Sequence, residues 1–329
     1  MSSQSTRELT VAQALNEALR EEMLRNERVF LMGEDIGEYG GIFKVTKDLL
    51  KEFGPQRVRD TPISEAAFIG AGVGAAMTGW IPVVEVMWVD FMAVAMDQII
   101  NQAAKMKYMS GGQTSVPMVI RTQGGGGRGN AAQHSQSLET LFAHIPGLSV
   151  VVPSNPADAK GLLKSAIRRN SPTIFIENKM LYTKRGPVPD GEHLVPLGVG
   201  DVVRAGTDVT LISLSRMVDF TLEAAAELEN EGISAEVIDL RSLSPLDESL
   251  VVRSVEKTNR AVVVHEATRL FGWGGEVCAL IQEKAFDYLD APVLRVATKD
   301  VPIPYNRALE KQTLPQVSDI VQAVRSQLG

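Results

Sequence analysis

Apolar segments of strand length and amphipathic segments of helix length alternate along this chain in two series, separated by a Pro- and Gly-rich stretch at 183–200 (TKRGPVPDGEHLVPLGVG). That alternation constrains the fold more than any single residue does. A strand–helix–strand unit closes by laying its strands parallel and its helices across the faces of the sheet. In the first series, Thr10 opens a predicted helix with Val11, Leu15, Ala18, Leu19 and Met23 on one face. Strands follow at 29–32, 81–88, 116–121, 148–152 and 173–177, with helices at 91–107 and 156–169 and a short extended stretch at 57–61. The second series places strands at 208–214, 234–240, 261–265 and 292–297 among helices at 217–230, 247–257, 275–288 and 316–327. The expected architecture is α/β, with two doubly wound domains at 1–185 and 201–329 and a linker at 186–200. The length of 329 residues agrees with two domains at roughly 150 residues each.

Charge and cysteine content remove several functional classes. The net charge is −7 with acids and bases interspersed, which argues against a nucleic-acid or anionic-membrane surface. One cysteine, Cys278, allows neither an intrachain disulfide nor a thiolate metal site, and its helical setting suits a small buried hydrophobe. The four histidines, His134, His144, His193 and His265, form no HExxH pair, and no GxSxG elbow is present. The opening residues MSSQSTREL lack the apolar core of a signal peptide, so the expected location is cytoplasmic.

Ligands of doubly wound sheets gather at the carboxyl ends of the strands. Glu34, Glu65, Glu85 and Asp90 all end or follow apolar strands, which makes them candidates for one shared edge. Glu65 stands just before a run of Gly, Ala, Val and Met (60–80, DTPISEAAFIGAGVGAAMTGW). Poor solvation there is expected to raise its pKa and suit it to sharing a proton with a ligand. The alternative is structural: Ser64 and Glu65 stand where helices begin with such residues.

The glycine run Gly124–Gly127, Arg128, Gly129 matches neither a P-loop nor a dinucleotide fingerprint. It reads as a flexible loop with no bound phosphate, and just beyond it His134 stands at an expected helix start as a candidate proton donor. A hydrogen-bonded structural role for His134 is the alternative. At this level the chain is a two-domain α/β protein with a carboxylate site whose chemistry is open.

Six motifs in order narrow it: GEDIGEYGGIFKVTKDLLKEFG, RVRDTPISEAAFIGAGVGAAMTGWIPVVEV, DQIINQAAKMKYMSGGQ, AAQHSQSLETLFAHIPGL, DAKGLLKSAIR and EVIDLRSLSPLD. Together they resemble the beta subunit of the thiamine-diphosphate-dependent decarboxylase component of 2-oxoacid dehydrogenase complexes, from about residue 8 to the C-terminus. The resemblance implies a pyrimidine-binding domain followed by a transketolase C-terminal-like domain. It also implies an α2β2 heterotetramer whose alpha subunit holds magnesium and the cofactor's diphosphate, and a lipoyl domain and acyltransferase core as further partners. The magnesium motif of that alpha subunit has no counterpart in this chain.

By the same resemblance, Glu65 is the carboxylate that bonds the pyrimidine ring nitrogen and favours the imino tautomer that activates the cofactor. Met87 and Phe91 line the pyrimidine pocket, and Glu34 is an acid close by. His134 donates a proton when lipoyl sulfur is reduced and acylated. Relatives bind potassium through carbonyls near Met118, Ala166 and Ile167 plus an Asp. Here Arg169 takes the Asp position, which removes an anionic ligand and adds a positive charge, so no metal is expected there and Arg169 is expected either to point to solvent or to occupy the cation site itself. Pyruvate is the leading substrate by the resemblance of SRMV (215–218) and FDYLDAPVLRVATKDVPIPY (286–305). Acetoin is the rival on MWVDF (87–91) and RTQGGGGRGNAAQHSQ (121–136), and a branched-chain 2-oxoacid is third. A scaffold subunit without catalytic groups is the reading from another class.

Overall fold

A computed structural model describes residues 6–328 and divides the chain into two compact units. The first takes residues up to Gly124 together with Leu141–Leu197, and the second takes Gly125–Thr140 together with Gly198 onward. The expected 1–185 domain is therefore interrupted. Its segment Gly125–Thr140 groups with the later residues, whose acids hold its backbone amides.

The first unit contains β1 (Thr6–Thr10), β2 (Val29–Gly33), β3 (Val58–Asp60), β4 (Ile81–Val86), β5 (Val119–Gly124), β6 (Ser149–Val151), β7 (Thr173–Asn178) and β8 (Arg185–Pro189). Strands β2 to β7 are parallel neighbours in the order β6-β7-β5-β4-β2-β3. Every residue of β2, β5, β6 and β7 is buried, as expected of parallel strands covered on both faces. Helix Val11–Arg25 begins with a reciprocal cap: Gln13 N donates to Thr10 Oγ1 (3.1 Å) and Thr10 N donates to Gln13 Oε1 (2.9 Å). Its Leu15 and Leu19 join Leu162 and Leu163 of helix Pro156–Ile167 and Phe175 of β7 in one core.

Two expectations in this unit are corrected. Part of the expected linker is a strand: β8 pairs antiparallel with β1, with Glu8 opposite Pro187 and Thr6 opposite Pro189. A two-stranded ribbon tolerates these prolines because their missing N–H groups can face outward. Val188 and Val195 are buried, so the stretch is packed and not a free connector. The expected helix at 91–107 divides into a 3₁₀ segment Val89–Ala95, a π segment Gln98–Ala103 and a short α turn Met106–Met109. The buried residues explain the winding. Val89, Met92 and Ala95 recur every three residues, then Ile99 and Ala103 every four, and Ala104 N reaches back to Ile99 O at 3.0 Å.

The second unit contains β9 (Asp201–Arg204), β10 (Val209–Ser213), β11 (Ala235–Asp239), the short β12 (Ser242–Ser244), β13 (Ala261–Thr268) and β14 (Leu294–Thr298). Its sheet runs β14-β13-β10-β11-β9, parallel except for β9 against β11. Leu211, Val237, Val262 and Val264 form the core on this sheet, covered by Leu228 and Val321 from helices Met217–Glu229 and Val317–Leu328. The expected helix at 275–288 ends at Lys284, and a separate 3₁₀ turn covers Phe286–Tyr288. Cys278 is half-buried in helix Gly274–Lys284 and not a full core residue. Among the described residues, no helix is long and apolar enough to cross a membrane.

Candidate functional site

The chain order switches direction at β2, whose sheet neighbours are β3 on one side and β4 on the other. At the carboxyl end of β2, Gly33 is in register with Asp60 of β3 and Glu85 of β4. A Cβ at Gly33 would stand 2.5 Å from the Glu85 carbonyl oxygen, so only glycine lets these strands approach as they do. Glu34 follows at once. Glu65 is the first residue of helix Glu65–Met77, and the Ser64 side chain makes no capping bond there. Glu65 thus leads its helix, as the structural reading held, and its charge acts on Glu34. Glu34, Glu65 and Glu85 are 7%, 7% and 5% exposed.

Burial pushes the Glu34 carboxyl up to about 7, with further contributions from the charges of Glu65, Asp35 and Glu85. Glu34 Oε1 is buried without a hydrogen-bond partner. A carboxyl in that state can hold or release a proton near neutrality.

Glu85 is fixed from behind. Arg121 Nη1 donates to Glu85 Oε2 (2.6 Å), and Gln123 Nε2 donates to Glu85 Oε1 (2.9 Å). The other side of the Arg121 fork holds Glu177 through Nε (2.7 Å) and Nη2 (2.8 Å), and Tyr182 Oη donates to Glu177 Oε2 (2.5 Å). Burial raises the Glu177 carboxyl, against the nearby positive charge of Arg121, which lowers it. Sequence reading missed Arg121, Glu177 and Tyr182. The signal was present, since VIRTQG and TIFIEN each carry one charge inside an otherwise strand-like run.

Met87 and Phe91, half-buried, follow β4 on the way out of the sheet. Trp88 lies next to them. Phe43 packs edge-on against Trp88 (5.6 Å) and stacks on Tyr182 (4.2 Å). The buried Lys179 ammonium stands over the Trp88 ring at 4.9 Å. The aromatic wall and the acid network therefore share Tyr182.

A family model described as "Transketolase, pyrimidine binding domain" matches residues 7–185, and "Transketolase, C-terminal domain" matches 198–320. A rice protein named pyruvate dehydrogenase E1 component subunit beta-2, mitochondrial, is 50% identical over 98% of this chain and 87% of its own length. The pyruvate dehydrogenase E1 component subunit beta of Rhizobium meliloti is 50% identical over 97% and 69%. The acetoin:2,6-dichlorophenolindophenol oxidoreductase subunit beta of Bacillus subtilis is 46% identical over 98% of each chain. The chain belongs to this family of dehydrogenase beta subunits. A solved structure titled as a split-gene transketolase, an inactive beta4 tetramer, superposes with a TM-score of 0.81 at 25% identity, covering 97% of this chain and 98% of that one. The transketolase-like fold of the family is thereby the fold of this member.

His134, the remaining candidate in this beta subunit, is half-buried in the second unit. It does not begin a helix as expected, because the next helix starts five residues later at Glu139. The glycine run that precedes it has amides already engaged. Gly126 N donates to Glu266 Oε1 (2.5 Å), Gly127 N to Glu310 Oε1 (2.7 Å) and Gly129 N to Glu310 Oε2 (2.8 Å). Carboxylates thus take the role a phosphate would have in a P-loop, and the run is anchored through three of its amides. Gly127 has φ +99°, and a Cβ there would lie 2.6 Å from Arg216 Nη1. Beside the turn is a cavity of about 570 Å³, whose wall includes Gln133, Ser135, Glu266, Phe271 and Ile303.

At the position where relatives were expected to hold potassium, Met118 O accepts Thr173 N (2.9 Å) and Ala166 O accepts Arg169 N (3.2 Å). Arg169 is exposed and its Nε donates to Ser171 Oγ (2.9 Å). Of the two expected placements for Arg169, the solvent-facing one is observed.

Proposed function

We propose that this chain is the beta half of a thiamine-diphosphate-dependent decarboxylase that acts on pyruvate with an alpha subunit, in an α2β2 assembly, and passes the acyl group to lipoyl on an acyltransferase core. The observation that carries this reading is the buried, unpartnered Glu34 Oε1 beside Glu65. An aminopyrimidine needs one group that shares a proton with its ring nitrogen and others that match its polar edge. A carboxyl able to give or accept a proton next to a second carboxylate fits that requirement. Glu65 would hold the ring nitrogen, Glu34 would keep a proton within reach, and Met87 and Phe91 would flank the ring. Bound there, thiamine diphosphate supplies the electron sink for loss of CO₂.

The residues of this chain do the positioning. Arg121 fixes Glu85, and the negative charge of Glu85 helps Glu34 keep its proton near neutral pH. His134 is assigned as proton donor to lipoyl sulfur. Magnesium is assigned to the alpha subunit. Among the described residues, no group of three His, Cys, Asp or Glu side chains is placed to hold a metal.

Acetoin cleavage is the second reading, supported by the Bacillus subtilis relative. The test is turnover by the chain reconstituted with its alpha subunit on pyruvate, 2-oxobutyrate, branched-chain 2-oxoacids and acetoin. Preferred turnover of acetoin overturns the pyruvate assignment, and unchanged decarboxylation by Glu65→Gln makes the chain a scaffold.

A further inference from the structure

A cleft of about 380 Å³ opens where β2, β4 and β5 begin, at the amino-terminal ends of the strands and away from the acids. Its wall carries Arg28, Arg168 and Arg169 and not one Asp or Glu, in a chain whose net charge is −7. Arg168 is neutralised, because its guanidinium pairs with Glu22 (2.6 Å) and Glu192 (2.5 Å). Arg28 and Arg169 have no such carboxylate among the described residues. Arg28 is exposed, and the one side-chain bond of Arg169 goes to the neutral Ser171 hydroxyl. Ser115 Oγ donates to Asn170 Oδ1 at 2.7 Å, which leaves the Asn170 amide hydrogens for another acceptor. Met77, Ile81 and Ile167 supply apolar surface in the same wall.

Two guanidinium groups without a carboxylate partner among the described residues, and a carboxamide donor, present hydrogens and positive charge to the cleft. Phosphate oxygens are the acceptors that match a guanidinium fork two at a time. The volume exceeds that of a bare ion and reaches the low end of small-molecule pockets. We propose that this cleft binds a small phosphate-bearing metabolite, with Arg28 and Arg169 on the phosphate and Asn170 as a third donor. The site is separate from the decarboxylase site and does not depend on that reading.

The experiment is calorimetric titration of the full chain with inorganic pyrophosphate, AMP and citrate at low ionic strength. One saturable site for pyrophosphate and AMP is expected, weakening as salt rises because the arginines are exposed. Arg169→Asp and Arg28→Ser should each weaken it roughly tenfold or more, by loss of a charge-assisted bond. Both residues are at the surface, and unchanged thermal unfolding of the variants establishes that the fold is kept. Tighter binding of AMP than pyrophosphate identifies a nucleotide as the ligand, and equal binding places recognition on the phosphate alone. No saturable binding, binding unaltered in both variants, or citrate binding as tightly as the phosphates overturns the proposal.

Discussion

Arg121 Nη1 donates to Glu85 Oε2 at 2.6 Å, and the two residues are direct register partners on neighbouring parallel strands. Arg121 is 1% exposed and also carries both bonds to Glu177. Removing it would leave two buried carboxylates without their counter-charge. Breaking such a pair costs about 3–5 kcal/mol, mostly from the charge left behind. Arg121→Met should therefore lower unfolding stability by about that amount in urea. Arg121→Lys keeps the charge but not the two-toothed grip on Glu177 and should lose less. Equal stability of wild type and the Met variant would show that the network is not structural.

Glu34 predicts a specific pH dependence. In the folded chain its proton is held up to about 7, raised from the ordinary value of 4.5. Between those pH values the folded state binds one proton that the unfolded state has released. Stability from this group is thus fully present below about 4.5, falls as pH rises to about 7, and is level above. Glu34→Gln removes the titration. Its melting temperature relative to wild type should climb across that interval and then stay constant. Glu139, also pushed up to about 7 by burial and the nearby Glu266, should give the same profile on Glu139→Gln. A constant difference at all pH values would contradict both assignments.

Much of the scaffold was legible because burial on both faces writes continuous apolar runs, as in β2 and the first half of β13. The acids stand out for a related reason: Glu34 follows the end of β2 at once, and Glu65 opens the helix that comes after β3. What was not legible depends on contacts far apart in sequence. Arg121 and Glu177 are 56 residues apart, and only strand order makes them partners. The glycine run reads locally as a loose loop, because the acid that fixes it, Glu310, lies 183 residues beyond Gly127. The 3₁₀ and π windings of 89–103 were hidden because an apolar periodicity near 3.6 averages the two spacings.

Glu310 tests the anchoring of that loop. It is 2% exposed and accepts from both Gly127 N and Gly129 N. Each hydrogen bond to a charged acceptor contributes about 1.5–3 kcal/mol, so Glu310→Ala should destabilise the second unit by a few kcal/mol. It should also release the segment Gly125–Thr140, seen as faster amide exchange and new proteolytic cuts confined there. Unchanged exchange at Gly127 and Gly129 would mean that the two bonds contribute little.

The functional proposal separates Glu65 from His134 by the step each serves. Glu65→Gln should lower decarboxylation of pyruvate by about 10²–10⁴-fold in the reconstituted pair, whichever electron acceptor is used, since proton sharing with the pyrimidine precedes every later step. His134→Gln should leave decarboxylation with an artificial oxidant near wild type while lowering acyl transfer to lipoyl domain by a similar factor. Assaying both variants with both acceptors gives four rates. Loss of the artificial-acceptor rate in His134→Gln would move the histidine to the decarboxylation step. Retention of the lipoyl rate would remove it from the chemistry and leave it as a support for the turn that precedes Glu139.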